Sequence, residues 1–445
     1  MILSYFSERD FMGCLSKFVS IIMVIILLAF SNVFAQSTSI DPKKPLALKE
    51  CIQIAMDNSS KITIAKRSLT MAEIEVKDAK AGCFPKLKAS LGYGVNDTYN
   101  QIKWTQDHYS ANLTIAETFY DNGKTSAKIK QAKISLASTQ LDFQKIRSDL
   151  TLEVIKSYYI LLKAQGMLKV KDEGLKQAQT HLNLARARHD AGTVPKSDIL
   201  KAEVEVSGAE LDLISAENTV SIAQTDLNSI MEIDLDTPLL IVDTEKSEPI
   251  DMTIDECQNY ALKNRLEIKK AEISLKTDEI NLKLAQKEVW PSIALEGNYN
   301  TDVDQLLNKY SWNESSGWEI GIKASVPIFD AGKSKRGVTK ADINLSNAMI
   351  NADQLKKEIA LEVKKAYLTA KSQKKMMEAT EKQLSYAKEN FEVAQGRYKS
   401  GVASIIESID AQVSLNNAKT NYVKAVYDYQ VAIFTLKKVI GGKIL

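Results

Sequence analysis

Apolar positions along this chain follow two periods, and the periods alternate. From Lys124 to Asp190 apolar residues return in steps of three and four, at Phe143, Ile146, Leu150, Val154, Tyr158 and Leu161. Those steps lie on one face of an α-helix. The positions between them are mostly Lys, Gln, Glu, Ser and Ala, so the predicted helix is long and wet on its other side. In Lys86 to Asn96 the period falls to two. Leu87, Ala89, Leu91, Tyr93 and Val95 point one way, and Lys88, Ser90, Gly92 and Gly94 the other. His108 to Phe119 continues the alternation, with Tyr109, Ala111, Leu113 and Ile115 against Ser110, Asn112 and Thr114. Two later segments do the same: Ile293, Leu295 and Tyr299 alternate with Glu296 and Asn298, and Trp318, Ile320, Ile322, Ala324 and Val326 with Glu319, Lys323 and Ser325.

The pattern is written twice. LALKECIQIAMDNSSKI from Leu46 aligns with MTIDECQNYALKNRLEI from Met252, placing Cys51 on Cys257 and Asn58 on Asn264, 206 positions on. Beyond the strands the spacing becomes 209: FYDNGKTSAKI from Phe119 matches IFDAGKSKRGV from Ile328. At that spacing LEVIKSYY from Leu152 meets LEVKKAYL from Leu361, and RHDAGTVPKSDILKAE from Arg188 meets RYKSGVASIIESIDAQ from Arg397. Arg188 pairs with Arg397, Gly192 with Gly401 and Asp198 with Glu407. A slip of three residues confined to one loop marks an internal duplication.

The predicted organisation is a leader over 1–35 and two repeats. Repeat 36–245 has helices 46–83, 124–190 and 197–231 with strands 86–96 and 108–119. Repeat 246–445 has helices 252–289, 333–399 and 406–440 with strands 292–301 and 316–328. Sixty-seven residues of helix extend roughly 100 Å, and the two shorter helices of a repeat together about 110 Å. Each repeat therefore reads as a tall helical hairpin turning at Gly192 or Gly401, the place where a helix end takes a left-handed residue.

Composition agrees with long solvated helices. The 445 residues include only 8 prolines, and 58 basic against 56 acidic residues leave a net charge of +2, which argues against nucleic-acid binding. At the N-terminus Lys17 precedes the apolar run Phe18 to Phe30, followed by Val33-Phe34-Ala35, the pattern of a signal peptide cleaved after Ala35. Cys51, Cys83 and Cys257 have no metal or disulfide spacing and are expected to be small buried residues. His108, His181 and His189 are scattered, and no phosphate loop, nucleophile elbow or HExxH occurs, so no cofactor, metal or catalytic group is expected.

Strict period two over about ten residues, behind a signal peptide, predicts transmembrane β-strands with lipid on one face. Lipid tolerates no open sheet edge, and four strands cannot close a barrel, so the chain must oligomerise. Two copies give eight strands and three give twelve.

The duplicated plan, Asp-x-Gly-Lys after the outgoing strands (Asp121 to Lys124, Asp330 to Lys333) and Arg397-Tyr398-x-x-Gly401 leading into Ser408-Ile409-Asp410-Ala411-Gln412 resemble the TolC-type outer-membrane efflux protein family. The resemblance runs from Leu46 to Gly442. It implies a mainly α protein with a membrane β-barrel: a homotrimer with a twelve-stranded barrel in outer-membrane lipid and a twelve-helix α-barrel reaching into the periplasm. It further implies a passive export duct docked to a periplasmic adaptor (membrane fusion) protein and an inner-membrane pump or ABC secretion ATPase. By the same similarity Glu407 and Asp410 ring the periplasmic aperture, and Arg397, Tyr398, Asp198 and Arg188 contribute the contacts that close it. Acids in the first turn of any helix are also favoured by its dipole, so a purely structural role stays open for them. The alternative for the whole chain is a secreted or periplasmic coiled-coil structural or adaptor protein without a pore. An adaptor would lack duplicated ten-residue dyads.

Overall fold

A computed structural model describes residues 45–96, 106–243, 251–303 and 316–442. The leader expected over 1–35 and residues 244–250 of the linker between the repeats lie outside the described residues. The first half contains α1 (Leu48–Asn58), α2 (Ser60–Ala81), β1 (Lys86–Asn96), β2 (Gln106–Tyr120), α3 (Lys124–Asp190) and α4 (Lys196–Ile230). The second repeats that order as α5 (Ile254–Asn264), α6 (Leu266–Gln286), β3 (Ser292–Val303), β4 (Ser316–Ser325), α7 (Lys333–Lys399) and α8 (Ile405–Val439). Both α3 and α7 have 67 residues, and both α4 and α8 have 35.

The helix expected over 46–83 is broken in two. Ser59 leaves helical backbone at ψ 121°, and Arg265 does the same at ψ 136° in the helix expected over 252–289. Each break has a partner distant in sequence. Glu232 accepts from the Ser60 backbone N–H at 2.9 Å and from its hydroxyl at 2.6 Å, satisfying donors that a new helix start leaves free. At the second break Arg265 pairs with Glu267 and Glu362. Gly441 presses against its backbone so closely that a Cβ would stand 3.1 Å from the Arg265 nitrogen. Neither partner is adjacent in sequence, which is why helical periodicity alone runs through both positions. The last strand, expected over 316–328, stops at Ser325. Pro327 has no N–H to give a ladder.

The four strands form one antiparallel sheet in the order β1-β2-β3-β4. Leu87 stands opposite Ile115, Leu113 opposite Tyr299, and Leu295 opposite Ile322, so the apolar faces of all four strands coincide. A bulge between Thr118 and Tyr120 resets the register where β2 leaves the sheet. The central β2–β3 pair joins the two halves, while β1 and β4 are each paired along one edge only.

Core burial concentrates where α3 meets α8. Tyr158 and Tyr159 are buried, with the Tyr159 ring stacked 5.8 Å from Phe434. Tyr158, expected from its periodicity to be a core residue, donates to the carbonyls of Val242 at 2.6 Å and Leu46 at 3.1 Å. It thereby ties the chain entering α1 and the segment following α4 to the long helix. Cys51 and Cys257 are buried as expected, and burial pushes the Cys51 thiol up to about 12. Cys83 is instead exposed, in the turn where α2 gives way to β1.

Candidate functional site

Two features of this architecture bear on function: the tips of the helical hairpins and the open sheet. At each tip the long helix ends in the same hydrogen-bond pattern. Gly192 donates to His189 O at 2.8 Å and Thr193 to Arg188 O at 2.9 Å; Gly401 donates to Tyr398 O and Val402 to Arg397 O, both at 3.0 Å. This is a Schellman closure, with glycine at φ +69° in the first tip and +79° in the second. Ser404 then caps α8, accepting from the Glu407 N–H. The His189 Nδ1 lies 3.0 Å from Val194 O, across its own turn.

The tips bring some of the expected residues together and leave others apart. Tyr398 is buried under Arg188, whose guanidinium lies 4.6 Å from the ring centroid. Arg188 also donates to Lys399 O at 3.3 Å, so a residue of the first hairpin closes over the second. Across the second turn Arg397 Nε meets Glu407 Oε1 at 3.1 Å, both side chains about half exposed. Asp198 turns to Lys201 of its own helix at 3.8 Å. Asp410 is exposed, one turn beyond Glu407 on the same face of α8, and makes no ion pair among the described residues. Burial is what the sequence did not show: the Tyr398 hydroxyl and the Ser408 hydroxyl are buried without a hydrogen-bond partner among the described residues. Ser408 and Tyr398 lie on different helices, and only packing brings such positions inside.

The sheet has the opposite character. Leu91 is 87% exposed, Trp318 76% and Ile322 72%, on the face that every strand reserves for apolar side chains. Tyr93 and Tyr109 pack side by side at 5.2 Å on that face. Among the described residues no helix is long and apolar enough to cross a membrane, and no group of three His, Cys, Asp or Glu is placed to hold a metal ion.

The model of the outer membrane efflux protein family matches residues 51–231 and 258–442, one match on each repeat. The chain belongs to the outer membrane efflux protein family. It is an efflux channel of the outer membrane extending into the periplasm. Members include the outer membrane protein TolC of Vibrio cholerae, 22% identical over 408 residues, covering 88% of this chain and 90% of TolC. The probable efflux pump outer membrane protein TtgC of Pseudomonas putida is 23% identical over 413 residues, covering 89% and 83%. Among solved structures, the CmeC outer membrane channel of Campylobacter jejuni superposes with a TM-score of 0.77 at 17% identity, over 92% of this chain and 90% of that one. A TM-score that high at so low an identity means that the backbone plan is shared while most side chains have changed. The contacts at the tips must therefore be read from this chain's own residues.

Proposed function

We propose that three copies of this chain close into one duct, a twelve-stranded barrel continued by a twelve-helix tunnel. The observation that carries the proposal is the four-stranded sheet with an apolar outer face and two edges left unpaired. In hydrocarbon each open edge would expose a row of backbone N–H and C=O groups, which costs several kcal/mol per group. Pairing β4 of one copy with β1 of the next removes every edge. The duct performs no chemistry of its own and is worked by partners: a periplasmic adaptor and an inner-membrane pump or secretion ATPase, which deliver the cargo and supply the energy. TtgC, named as part of an efflux pump, supports this arrangement. Outer-membrane extracts run unboiled should give a trimer that collapses to monomer on boiling. A monomer in both lanes would sink the assembly.

At the far end of the duct we assign Glu407 and Asp410 to the rim of the mouth. Three copies bring six carboxylates around one axis. Like charges a few ångströms apart repel by about 1 kcal/mol per pair in water, and by more as the dielectric falls. Arg397, held at 3.1 Å from Glu407, offsets part of that repulsion. Closure then rests on Arg188 over Tyr398 and on Arg397 at Glu407, and we assign Asp198 on α4 to the same rim. Replacing both acids, Glu407→Ala with Asp410→Ala, should lower the cation preference in planar-bilayer recordings; selectivity identical to the parent would remove the acids from the pore.

A further inference from the structure

The two halves of the chain contact each other in a specific register, and the same register has an unused copy. Within the protomer, α3 of the first half packs against α6 and α8 of the second. Lys419 on α8 reaches Glu173 on α3 at 2.7 Å, and Asn281 on α6 meets Gln131 on α3 at 3.0 Å. Val423 of α8 sits where a Cβ on Gly166 of α3 would stand 2.8 Å away.

Duplication makes α7 the counterpart of α3, α4 the counterpart of α8, and α2 the counterpart of α6. The facing surfaces of α7 and of α2 and α4 have no such partner within one copy, and they carry exposed apolar side chains among charged ones. On α7, Leu361 and Leu368 are 53% and 52% exposed, whereas their counterparts Leu152 and Tyr159 on α3 are buried. On α4, Ile214 is 62% exposed at the position matching Val423.

Charge decides what covers these faces. Carried across the duplication, Glu173 becomes Lys382 and Lys419 becomes Glu210: both signs reverse, and the pair stays complementary. The neutral pair Gln131–Asn281 becomes Lys340 and Glu75, again of opposite sign. All four residues are exposed, and none has an ion-pair partner among the described residues. Positions free to drift in solvent would have no reason to change sign together.

We propose that α7 of one copy docks on the α2 and α4 face of the next with Lys382 against Glu210 and Lys340 against Glu75, repeating between copies the register that the two halves use within one. The occupant of the open face is thus a second copy of this chain, and the register is fixed to the residue. The proposal rests on the trimeric reading above.

The test uses the full-length protein in outer-membrane fractions, in a Cys83→Ala background. Lys382→Cys with Glu210→Cys, treated with a short bis-maleimide, should give a trimer band that survives boiling; so should Lys340→Cys with Glu75→Cys. Single-cysteine variants should give none. A shifted pair, Lys371→Cys with Glu210→Cys, displaced roughly 16 Å along α7, is the register control. A second measurement needs no chemistry: Lys382→Glu should lower the temperature at which the unboiled trimer dissociates, and adding Glu210→Lys should restore it. A heat-labile trimer whose designed pairs cross-link no better than the shifted pair, and whose charge swap restores nothing, would overturn the register and leave the trimer standing. Absence of any trimer in the parent would overturn both.

Discussion

Gly192 and Gly401 adopt φ near +70° to +80°, where any Cβ crowds the following carbonyl. Gly401→Ala should therefore cost roughly 1–2 kcal/mol locally, read as a lower melting temperature of the helical signal in circular dichroism; an unchanged melt would mean that the turn relaxes out of the left-handed region. The glycines were legible because the closure of a helix by a left-handed residue is a local event. So was the position of the acids, one turn apart. The way the two tips meet was not. The contact of Arg188 with Tyr398 and Lys399 spans 211 positions in sequence, between two helix ends that only the assembled hairpins bring together. Asp198, grouped with Tyr398 on resemblance, lies 3.8 Å from Lys201 one turn along its own helix within the single chain.

At the scale of elements, each long helix begins just after a strand, and the same aspartate device starts both. Asp121 accepts from the Thr125 backbone N–H at 2.6 Å, and Asp330 from Ser334 N–H at 2.8 Å and Gly332 N–H at 2.9 Å. At Asp330 the Ser334 hydroxyl and these amides hold the carboxyl below its ordinary range; at Asp121 desolvation pushes the carboxyl up, and hydrogen bonds from Thr125, Gly123 and Lys124 together bring it below that range. A depressed folded pKa adds stability that is present above the unfolded value of about 3.9 and is lost as pH falls through the folded one. Acidification below about pH 4 should then fray the first turns of α3 and α7 before the helix centres, visible as early amide exchange at residues 124–128 and 333–337. Asp121→Ala should cost about 1 kcal/mol and abolish that pH dependence at α3; exchange that stays pH-dependent there would place its origin elsewhere. These starts, the two 67-residue helices and the four dyads were readable because periodicity and turn chemistry are local. The breaks at Ser59 and Arg265 were not, since Glu232, Glu362 and Gly441 impose them from far along the chain.

For the whole molecule, the sheet separates two environments within one residue's step. Leu91 stands mid-strand on the apolar face and Ser90 on the opposite one. Leu91→Arg should cost about 2–4 kcal/mol at the depth of the bilayer core and reduce trimer in outer-membrane fractions, while Ser90→Arg should leave assembly intact and narrow conductance. Equal assembly of the two variants would mean that the assignment of faces is wrong. The duplication, which no single element reveals, gives each chain two equivalent halves; in the proposed trimer each copy then supplies one third of the ring.

The long helices α3 and α7 run without a break from the sheet to the tips, whereas the helices alongside them are interrupted at Ser59 and Arg265. A continuous rod of about 100 Å transmits angle as distance, so a tilt of about 5° at the barrel end carries the far end about 9 Å. Such a lever needs no bending along its length. In the proposed trimer a small tilt at the sheet end would therefore displace the tips far enough to part the contact of Arg188 with Tyr398 and Lys399.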